Sequence, residues 1–245
     1  MMKILRRSLL ALLCLAPGLA LAALPAVSAS VRYMSLGDSL AAGYKAQPAT
    51  AGYAYQLYLD RVFGSIADTV FDNAAVPGAT SSDVLAFQLP QVHLFEPTVV
   101  TMSVGGNDLL TLLGTTPPTP DQVGQVLTQF GGNLLGILTQ LCGQLPAGGE
   151  IYLHNLYTIP EIPGADQIVP LFNGTMTQVV TNVQRLDACL GKTIAIADVY
   201  GAFLGQKNLL LIERYLKKGV LTTEVHPTNQ GYRVIEQSFR AVIAP

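Results

Sequence analysis

The sequence predicts an α/β protein whose mostly parallel central sheet is covered by helices on both faces. Short apolar segments rich in β-branched residues alternate along the chain with longer segments of helical spacing, which is the pattern of consecutive strand–helix units. The segments predicted as strands carry little charge, as expected of parallel strands that are buried on both faces. With 245 residues, the chain has the length of one ordinary domain, or at most of two small ones.

Each element has its own signal in the sequence. The predicted strands span residues 31–36, 69–71, 97–104, 150–156 and 193–199. The predicted helices span residues 53–63, 81–93, 120–145 (one long helix or a broken one) and 168–190. Pro227 is expected to start a terminal helix, because proline suits the first helical turn.

The composition excludes two classes of protein. Hydrophobic residues make up 50% of the chain and charged residues 12%, compared with about 25% charged residues in an average soluble domain. Intrinsically disordered chains combine low hydrophobicity with high net charge, so this chain is not one of them. Nucleic-acid-binding domains are basic, whereas this chain has a formal net charge of -2, so no nucleic-acid partner is expected.

Residues 1–22 are predicted to be a secretory signal peptide, with a positive start, an apolar run and an Ala-Leu-Ala cleavage signal. Cleavage after Ala29 and an uncleaved membrane anchor are the alternatives, although the apolar run is short for a span of ~20 residues. Residues 23–245 would then form a single domain with 11 Lys+Arg and 16 Asp+Glu, a net charge of about -5. We expect a secreted or periplasmic protein that is monomeric and does not stay inserted in a membrane.

Signal cleavage would leave two cysteines, Cys142 and Cys189. An even pair of cysteines in an exported protein predicts one disulfide bond, because the compartment is oxidising. Two buried free thiols are the alternative.

Four segments with chemically useful residues lie at the predicted strand ends, where parallel sheets bind their ligands. Ser39 follows the first strand, and if a helix follows it, the helix dipole would favour negative charge there. Gly78 follows the second strand and frees a backbone N–H for close approach to a ligand. Asn107 follows the third strand and offers a neutral donor to an oxyanion. His226 precedes the last helix and could reach the serine as a base.

Each of these residues alone has a simpler interpretation, as a capping serine, a turn glycine or a turn asparagine. The other two histidines, His93 and His154, have no partner at a useful spacing. The four segments together, in this order, are much more specific than any one of them.

The ordered set resembles the SGNH/GDSL hydrolase family over residues 33–235. The namesake motif reads GDSL at residues 37–40, the third block reads GGND at residues 105–108, and the last reads HP at residues 226–227. The resemblance implies a flavodoxin-like three-layer α/β/α domain. It also implies ester hydrolysis without a metal, and we expect no cofactor.

By this resemblance, Ser39 is the nucleophile and His226 is its general base. The Ser39 N–H, the Gly78 N–H and the Asn107 amide form the oxyanion hole. Asp38 is expected to support the turn around the nucleophile. A serine hydroxyl is a weak nucleophile until a neighbouring base takes its proton, which agrees with these assignments.

The chain departs from the family at one position of the catalytic triad. The family usually has aspartate three residues before the histidine, and this chain has Thr223 there. Glu224 could replace it, a backbone carbonyl near Thr223 could orient the histidine in a Ser-His dyad, or the enzyme could be weakened. We favour the dyad slightly, because a one-residue shift usually aims a side chain elsewhere. Asp198 is a distant candidate, and a structural role in its turn is the preferred interpretation.

Other function classes have less support in the sequence. An α/β-hydrolase would need G-x-S-x-G after several strands, a nucleotide enzyme a glycine-rich phosphate loop, and a zinc enzyme a ligand cluster. A non-catalytic ligand-binding or glycan-binding module on the same fold is the serious alternative, and only Thr223 favours it.

The substrate is expected to be a small-molecule or lipid-like ester. Charged residues are rare over residues 109–149 and 167–184, so an acyl pocket built from these segments would be apolar. This favours a carboxylesterase or lipase-like enzyme over the lesser alternatives of a lysophospholipase, a thioesterase or a carbohydrate esterase. Ordinary core packing is the alternative for any single residue in these segments.

Overall fold

A parallel five-stranded sheet forms the middle layer of the protein, for which the computed structural model describes residues 30–113, 117–159, 162–211, 214–217 and 220–243. The strand order is β2-β1-β3-β4-β5, and every neighbouring pair is parallel. The strands are β1 (Val31–Gly37), β2 (Thr69–Asn73), β3 (Val99–Ser103), β4 (Glu150–His154) and β5 (Thr193–Ala197). The predicted signal peptide, residues 1–22, lies outside the described residues.

Helices flank this sheet on both faces. They are α1 (Tyr53–Leu59), α2 (Ser81–Asp83), α3 (Leu89–Phe95), α4 (Gly106–Leu110), α5 (Pro120–Gln144), α6 (Ala165–Val183), α7 (Val199–Phe203) and α8 (Asn229–Arg240). A π-helical turn (Val84–Gln88) joins α2 to α3. The predicted three-layer α/β/α architecture is therefore confirmed.

The two faces of the sheet pack against two hydrophobic clusters, because side chains alternate along each strand. Met34 of β1 belongs to the cluster that contains Phe130 of α5. Its neighbour Tyr33 belongs to the opposite cluster, with Tyr53 of α1 and Phe239 of α8. These buried helix faces hold the strands in place and so fix where each strand ends.

The helices differ from or sharpen the sequence prediction at several boundaries, and α1 ends at Leu59 and not at Phe63. The segment predicted as 120–145 is one continuous helix, α5, capped at Thr119. The helix predicted for 168–190 begins earlier, at Ala165, and ends at Val183. The last helix begins at Asn229 and not at Pro227, because the Thr228 side chain accepts the N–H of Gly231 and so caps it.

The sequence analysis did not predict an antiparallel hairpin that precedes the last helix. It consists of β6 (Arg214–Lys217) and β7 (Val220–Thr223). β7 ends at Thr223, so the hairpin leads directly into Glu224 and His226.

The sulfur atoms of Cys142 and Cys189 are bonded to each other in the structure. Cys142 lies near the end of α5, and Cys189 lies in a short 3-10 turn before β5. Both residues are buried, so the bond ties α5 to the amino end of the sheet. Within the described ranges, no helix is both long and apolar enough to cross a bilayer.

Candidate active site

The structure brings Ser39, Asn107 and His226 around one cavity at the carboxyl edge of the sheet. β1 ends at Gly37 and leads into Ser39, and β3 ends at Ser103, shortly before Asn107. Because all five strands are parallel, their carboxyl ends share this edge, which is where such sheets place ligands.

The turn that carries Ser39 depends on a glycine before it. Gly37 has φ of +118°, and a Cβ atom there would lie 1.8 Å from the Ser103 carbonyl oxygen. The Asp38 N–H donates to that same carbonyl oxygen at 3.1 Å. Glycine is therefore required, because it alone combines this backbone conformation with so close an approach.

The Asp38 carboxylate holds the same turn from the inside. Its Oδ1 accepts the Leu40 N–H at 2.9 Å and the Ser103 hydroxyl at 2.7 Å. Burial raises the pKa of Asp38 to about 6, although these two hydrogen bonds act in the opposite direction. These contacts have the supporting geometry expected of Asp38.

Gln88, which was not expected from the sequence, also holds Gly37. Its Oε1 accepts the Gly37 N–H at 2.7 Å, and its Nε2 donates to the Gly37 carbonyl at 2.8 Å. Gln88 is buried at the end of the π-helical turn, 51 residues along the chain. No local sequence signal marks such a contact.

No regular helix follows Ser39 directly, so the conditional expectation of a helix dipole at the nucleophile is not met. Residues 39–45 form turns, and the first α-helix of the described chain begins at Tyr53. The Ser39 backbone is held by hydrogen bonds within the turn, including one from the Tyr44 N–H to the Ser39 carbonyl at 2.9 Å.

Ser39, His226 and Glu224 form a continuous hydrogen-bonded chain. Ser39 Oγ lies 2.8 Å from His226 Nε2, and His226 Nδ1 contacts Glu224 Oε1. A carboxylate only accepts, so Nδ1 carries the proton and Nε2 is left to accept the serine hydroxyl. This is the relative geometry that a nucleophile, its base and an orienting acid need.

The sequence slightly favoured a backbone carbonyl near Thr223 as the partner of His226 Nδ1. In the structure, the partner of Nδ1 is the Glu224 carboxylate. Oε1 of Glu224 also accepts the N–H groups of Val225, at 2.9 Å, and His226, at 3.2 Å. The carboxylate thus folds back over its own backbone, and the longer glutamate side chain makes this reach possible. The shift of the acid by one residue, from position 223 to 224, therefore does not direct its side chain away from His226.

The surroundings of Glu224 keep its carboxylate ionised. Burial raises its pKa, but the hydrogen bond and charge of His226 and the two backbone N–H groups outweigh burial and bring the pKa below its usual value. A charged carboxylate stabilises the imidazolium that forms when a histidine accepts a proton.

The predicted oxyanion donors Gly78 and Asn107 lie on two loops that are bonded together. The Asn107 Nδ2 donates to the Ala79 carbonyl at 2.9 Å. Asp108, next to Asn107, accepts the N–H of Ser81 at 2.8 Å and its hydroxyl at 2.6 Å. Gly78 itself has φ of +89°. These contacts fix the position of Asn107 relative to the Gly78 loop.

Two of the three predicted oxyanion donors have their backbone N–H groups available. Among the hydrogen bonds of the described residues, neither the Ser39 N–H nor the Gly78 N–H donates to a protein acceptor. The Asn107 amide uses one N–H for Ala79 and keeps the second.

The cavity beside Ser39 has a volume of about 70 Å³ and mostly apolar walls. Its apolar lining comes from α4, from the segment after β4 and from α6, and includes Leu109, Leu110, Leu156, Ile159 and Val169. Leu109 and Leu110 belong to the charge-poor segment that was expected to form an apolar pocket.

The other residues considered in the sequence lie outside the hydrogen-bonded chain. His154 lines the cavity but is fully buried, and burial lowers its pKa to about 4, so its ring is neutral. His93 lies on α3. Asp198 caps α7 by accepting the Gly201 N–H at 2.9 Å, which is the structural role preferred for it. Among the described residues, no group of three His, Cys, Asp or Glu residues has metal-binding geometry.

Comparisons with known proteins identify the family and the fold. The sequence profile of the GDSL-like Lipase/Acylhydrolase family matches residues 35–234. No curated protein sequence matches the chain.

Several solved structures share the fold. The psychrotrophic esterase EstA from Pseudoalteromonas sp. is 20% identical, with a TM-score of 0.56, and the match covers 86% of this chain and 96% of that protein. The lipase Lip_vut3 from a goat rumen metagenome is 23% identical, with a TM-score of 0.61 and coverage of 86% and 97%. The acetylxylan esterase Axe2 from Geobacillus stearothermophilus is 16% identical, with a TM-score of 0.65 and coverage of 89% and 96%. The profile match extends over most of the chain and includes all four motifs, so the protein belongs to the GDSL-like lipase/acylhydrolase family.

Proposed function

We propose that the protein is a serine hydrolase of carboxylic acyl esters, with Ser39 as nucleophile, His226 as general base and Glu224 as the orienting acid. The observation that carries this proposal is the chain from Ser39 Oγ through His226 to the buried Glu224 carboxylate. Membership of an acylhydrolase family and the shared fold of an esterase, a lipase and an acetylxylan esterase support it.

In the proposed reaction, His226 Nε2 takes the Ser39 proton while Oγ attacks the ester carbonyl carbon. The carbonyl oxygen becomes an oxyanion, which accepts hydrogen bonds from the Ser39 N–H, the Gly78 N–H and the Asn107 amide. Neutral donors held in place in this way are worth about 10²–10³ in rate each. The imidazolium, stabilised by Glu224, then returns its proton to the leaving alcohol and leaves an acyl-serine.

Hydrolysis of the acyl-serine uses the same groups in reverse. His226 accepts a proton from water, which attacks the acyl carbon, and the proton then passes to Ser39 Oγ as the acid departs. The hydrogen bonds of Asp38 and Gln88 keep the nucleophile turn in one conformation through both steps.

The cavity favours esters with a short apolar group next to the scissile bond. Its volume of about 70 Å³ is well below the roughly 300–1,000 Å³ of pockets that enclose drug-sized ligands. Its leucine, isoleucine and valine walls offer few hydrogen-bond partners to a sugar. We therefore expect carboxylesterase activity on short acyl chains, falling as the chain lengthens to palmitate.

The contact of Glu224 weighs against the competing proposal of a non-catalytic binding module. That proposal relied on Thr223 at the usual place of the triad acid. Glu224 places a carboxylate against His226 Nδ1, which supports the hydrolase over the binding module.

Hydrolysis of p-nitrophenyl esters from acetate to palmitate, with wild type beside Ser39→Ala, tests the proposal. We expect turnover of the short esters and a loss of at least about 10⁴-fold in kcat in the variant, because the nucleophile is removed. A fluorescent phosphonate should label the wild type and not Ser39→Ala. A folded protein with neither turnover nor labelling would contradict the assignment and bring back the binding module.

Export is proposed separately. The signal at residues 1–22 and the bond between Cys142 and Cys189 both suit an oxidising compartment outside the cytoplasm. Expression of the full chain, followed by cell fractionation and N-terminal sequencing, tests this, and a protein found only in the cytoplasmic fraction with Met1 still in place would contradict it.

A further inference from the structure

The second carboxylate oxygen of Glu224 faces a cation from another part of the chain. Lys45 Nζ lies 3.7 Å from Glu224 Oε2, whereas Oε1 contacts His226. The Glu224 side chain is only 6% exposed and that of Lys45 is 45% exposed, so the lysine spans from solvent to a buried charge. A buried carboxylate with a cation on one oxygen has a preferred rotation about its last bond.

The backbone around Lys45 is held in an unusual conformation that keeps the lysine beside Glu224. Lys45 has φ of +67°, in the left-handed region that residues other than glycine seldom adopt. The carbonyl of Tyr44 accepts the Tyr232 hydroxyl at 2.6 Å, and Asn229 accepts the Gln47 N–H at 3.0 Å. Asn229 and Tyr232, both in α8, thus hold the segment on both sides of Lys45.

The same segment also contacts the imidazole. The Tyr44 ring meets the His226 ring edge-on, with centroids 4.8 Å apart. Lys45 and Tyr44 therefore approach the two partners of one hydrogen bond, the carboxylate and the imidazole, from the same side of the site.

We propose that Lys45 is a positioning residue for the reaction. Its ammonium holds Glu224 Oε2, so that Oε1 stays directed at His226 Nδ1, and its positive charge opposes the imidazolium form of His226 in the free enzyme. This inference rests on the proposed function. The GDSL, GGND and HP motifs contain no lysine. The proposed role of Lys45 is tied to Glu224, which contacts the histidine where the family usually has aspartate.

The other titratable groups that face His226 and Glu224 do not supply this charge. Asp38 and His154 line the same cavity. The Asp38 carboxyl group cannot carry a positive charge, and the His154 ring is neutral. Tyr157 and Tyr232 pack nearby, and burial raises the pKa of both phenols, so both stay neutral. Tyr44 contributes its ring, and Lys45 contributes the ammonium.

The test compares Lys45→Met with Lys45→Arg and with Lys192→Met as a control. Lys192 lies at the amino end of β5, where its ammonium contacts the Ala188 carbonyl, so the control makes the same charge change away from the site. The readouts are kcat and KM on a short p-nitrophenyl ester from pH 5 to 9, at low and at high salt.

For Lys45→Met we expect kcat to fall about 3-fold, which is the scale of one exposed ion pair, with KM unchanged. Loss of a cation stabilises the imidazolium form, so the acidic limb of the kcat/KM profile should move to higher pH by about 0.3–0.7 of a unit. Lys45→Arg should restore both values, and Lys192→Met should change neither. High salt should move the wild-type limb toward that of Lys45→Met, because the pair is partly exposed.

An acidic limb that stays in place in Lys45→Met, or that moves equally in Lys192→Met, would overturn the inference. If Lys45→Met does not fold, Lys45→Arg and the salt dependence of the wild type still decide it. The midpoint of the His226 ring titration by NMR, in wild type and Lys45→Met, needs no turnover. An inactive wild type whose ring midpoint still moves would refute the proposed function alone, and an active enzyme whose midpoint does not move would refute the inference alone.

Discussion

One buried carboxyl group precedes Ser39 in the chain and another contacts His226, and their surroundings push their pKa values in opposite directions. Asp38 lies in the nucleophile turn, where burial raises its pKa to about 6. Glu224 lies beside the histidine, where His226 and two backbone N–H groups lower its pKa. Asp38 is thus suited to support a turn, and Glu224 is suited to carry a negative charge. The difference comes from the groups that surround each carboxyl.

The two regions also differ in how they are built. The nucleophile turn lies between neighbouring strands, where the backbone of Gly37 and Asp38 packs directly against Ser103, and side chains only add to this contact. The histidine segment follows a hairpin and depends on side chains, chiefly Glu224 and Lys45. We therefore expect substitution of Gly37 to act mainly on folding, and substitution of Glu224 or Lys45 to act mainly on turnover.

Gly37→Ala should have the largest effect. Its Cβ would lie 1.8 Å from the Ser103 carbonyl oxygen, so β1 and β3 must separate, and we expect a loss of more than about 4 kcal/mol in the free energy of unfolding. Gly148→Ala is the matched control, because Gly148 also has a positive φ, of +76°, but has open space around it. Urea denaturation of both variants measures the difference, and equal losses would contradict the packing argument.

Glu224→Gln should leave folding nearly unchanged and reduce turnover. The amide can no longer fix the Nδ1–H tautomer or stabilise the imidazolium, so we expect kcat to fall by about 10²–10⁴-fold with KM little changed. Glu96→Gln, at the exposed position directly after α3, serves as the control for the same chemical change. A Glu224→Gln enzyme with most of its kcat would restore the Ser-His dyad.

Asp38→Asn should alter the pH dependence of stability. The folded-state pKa of Asp38 is raised from 3.8 to about 6, so its stabilising contribution is fully present below pH 3.8 and is lost as the pH rises through about 6. The shift corresponds to about 3 kcal/mol, and asparagine removes it while keeping an acceptor for Leu40 and Ser103. Urea denaturation from pH 3.5 to 7.5 should therefore give a wild type that loses stability relative to the variant. A constant difference would contradict the prediction.

The sequence predicts the strands and the four motif residues because each has a local cause. Apolar strands and the turns at their ends follow from residue type and spacing, and the parallel sheet then places Ser39, Asn107 and His226 at one edge. The hairpin before His226 escaped prediction because its two strands have only four residues each. Strands of this length carry little periodic signal.

The contacts that complete the site could not be predicted, because they join distant parts of the chain. Gln88 reaches Gly37 across 51 residues, and the approach of Lys45 to Glu224 depends on a left-handed backbone in one segment and a hairpin in another. The partner of the His226 ring depended on whether a glutamate side chain folds back over its own backbone, which spacing alone does not tell.

The bond between Cys142 and Cys189 secures the protein at the edge of the sheet that faces away from Ser39. It joins the end of α5 to the turn before β5, so the amino ends of the last two strands are stapled. At the opposite edge, the cavity-wall residues Leu109, Leu156 and Val169 also pack in the hydrophobic core, so substitutions there cost stability. Directed evolution of substrate range could accept destabilising substitutions there, because the disulfide bond adds stability to the rest of the fold.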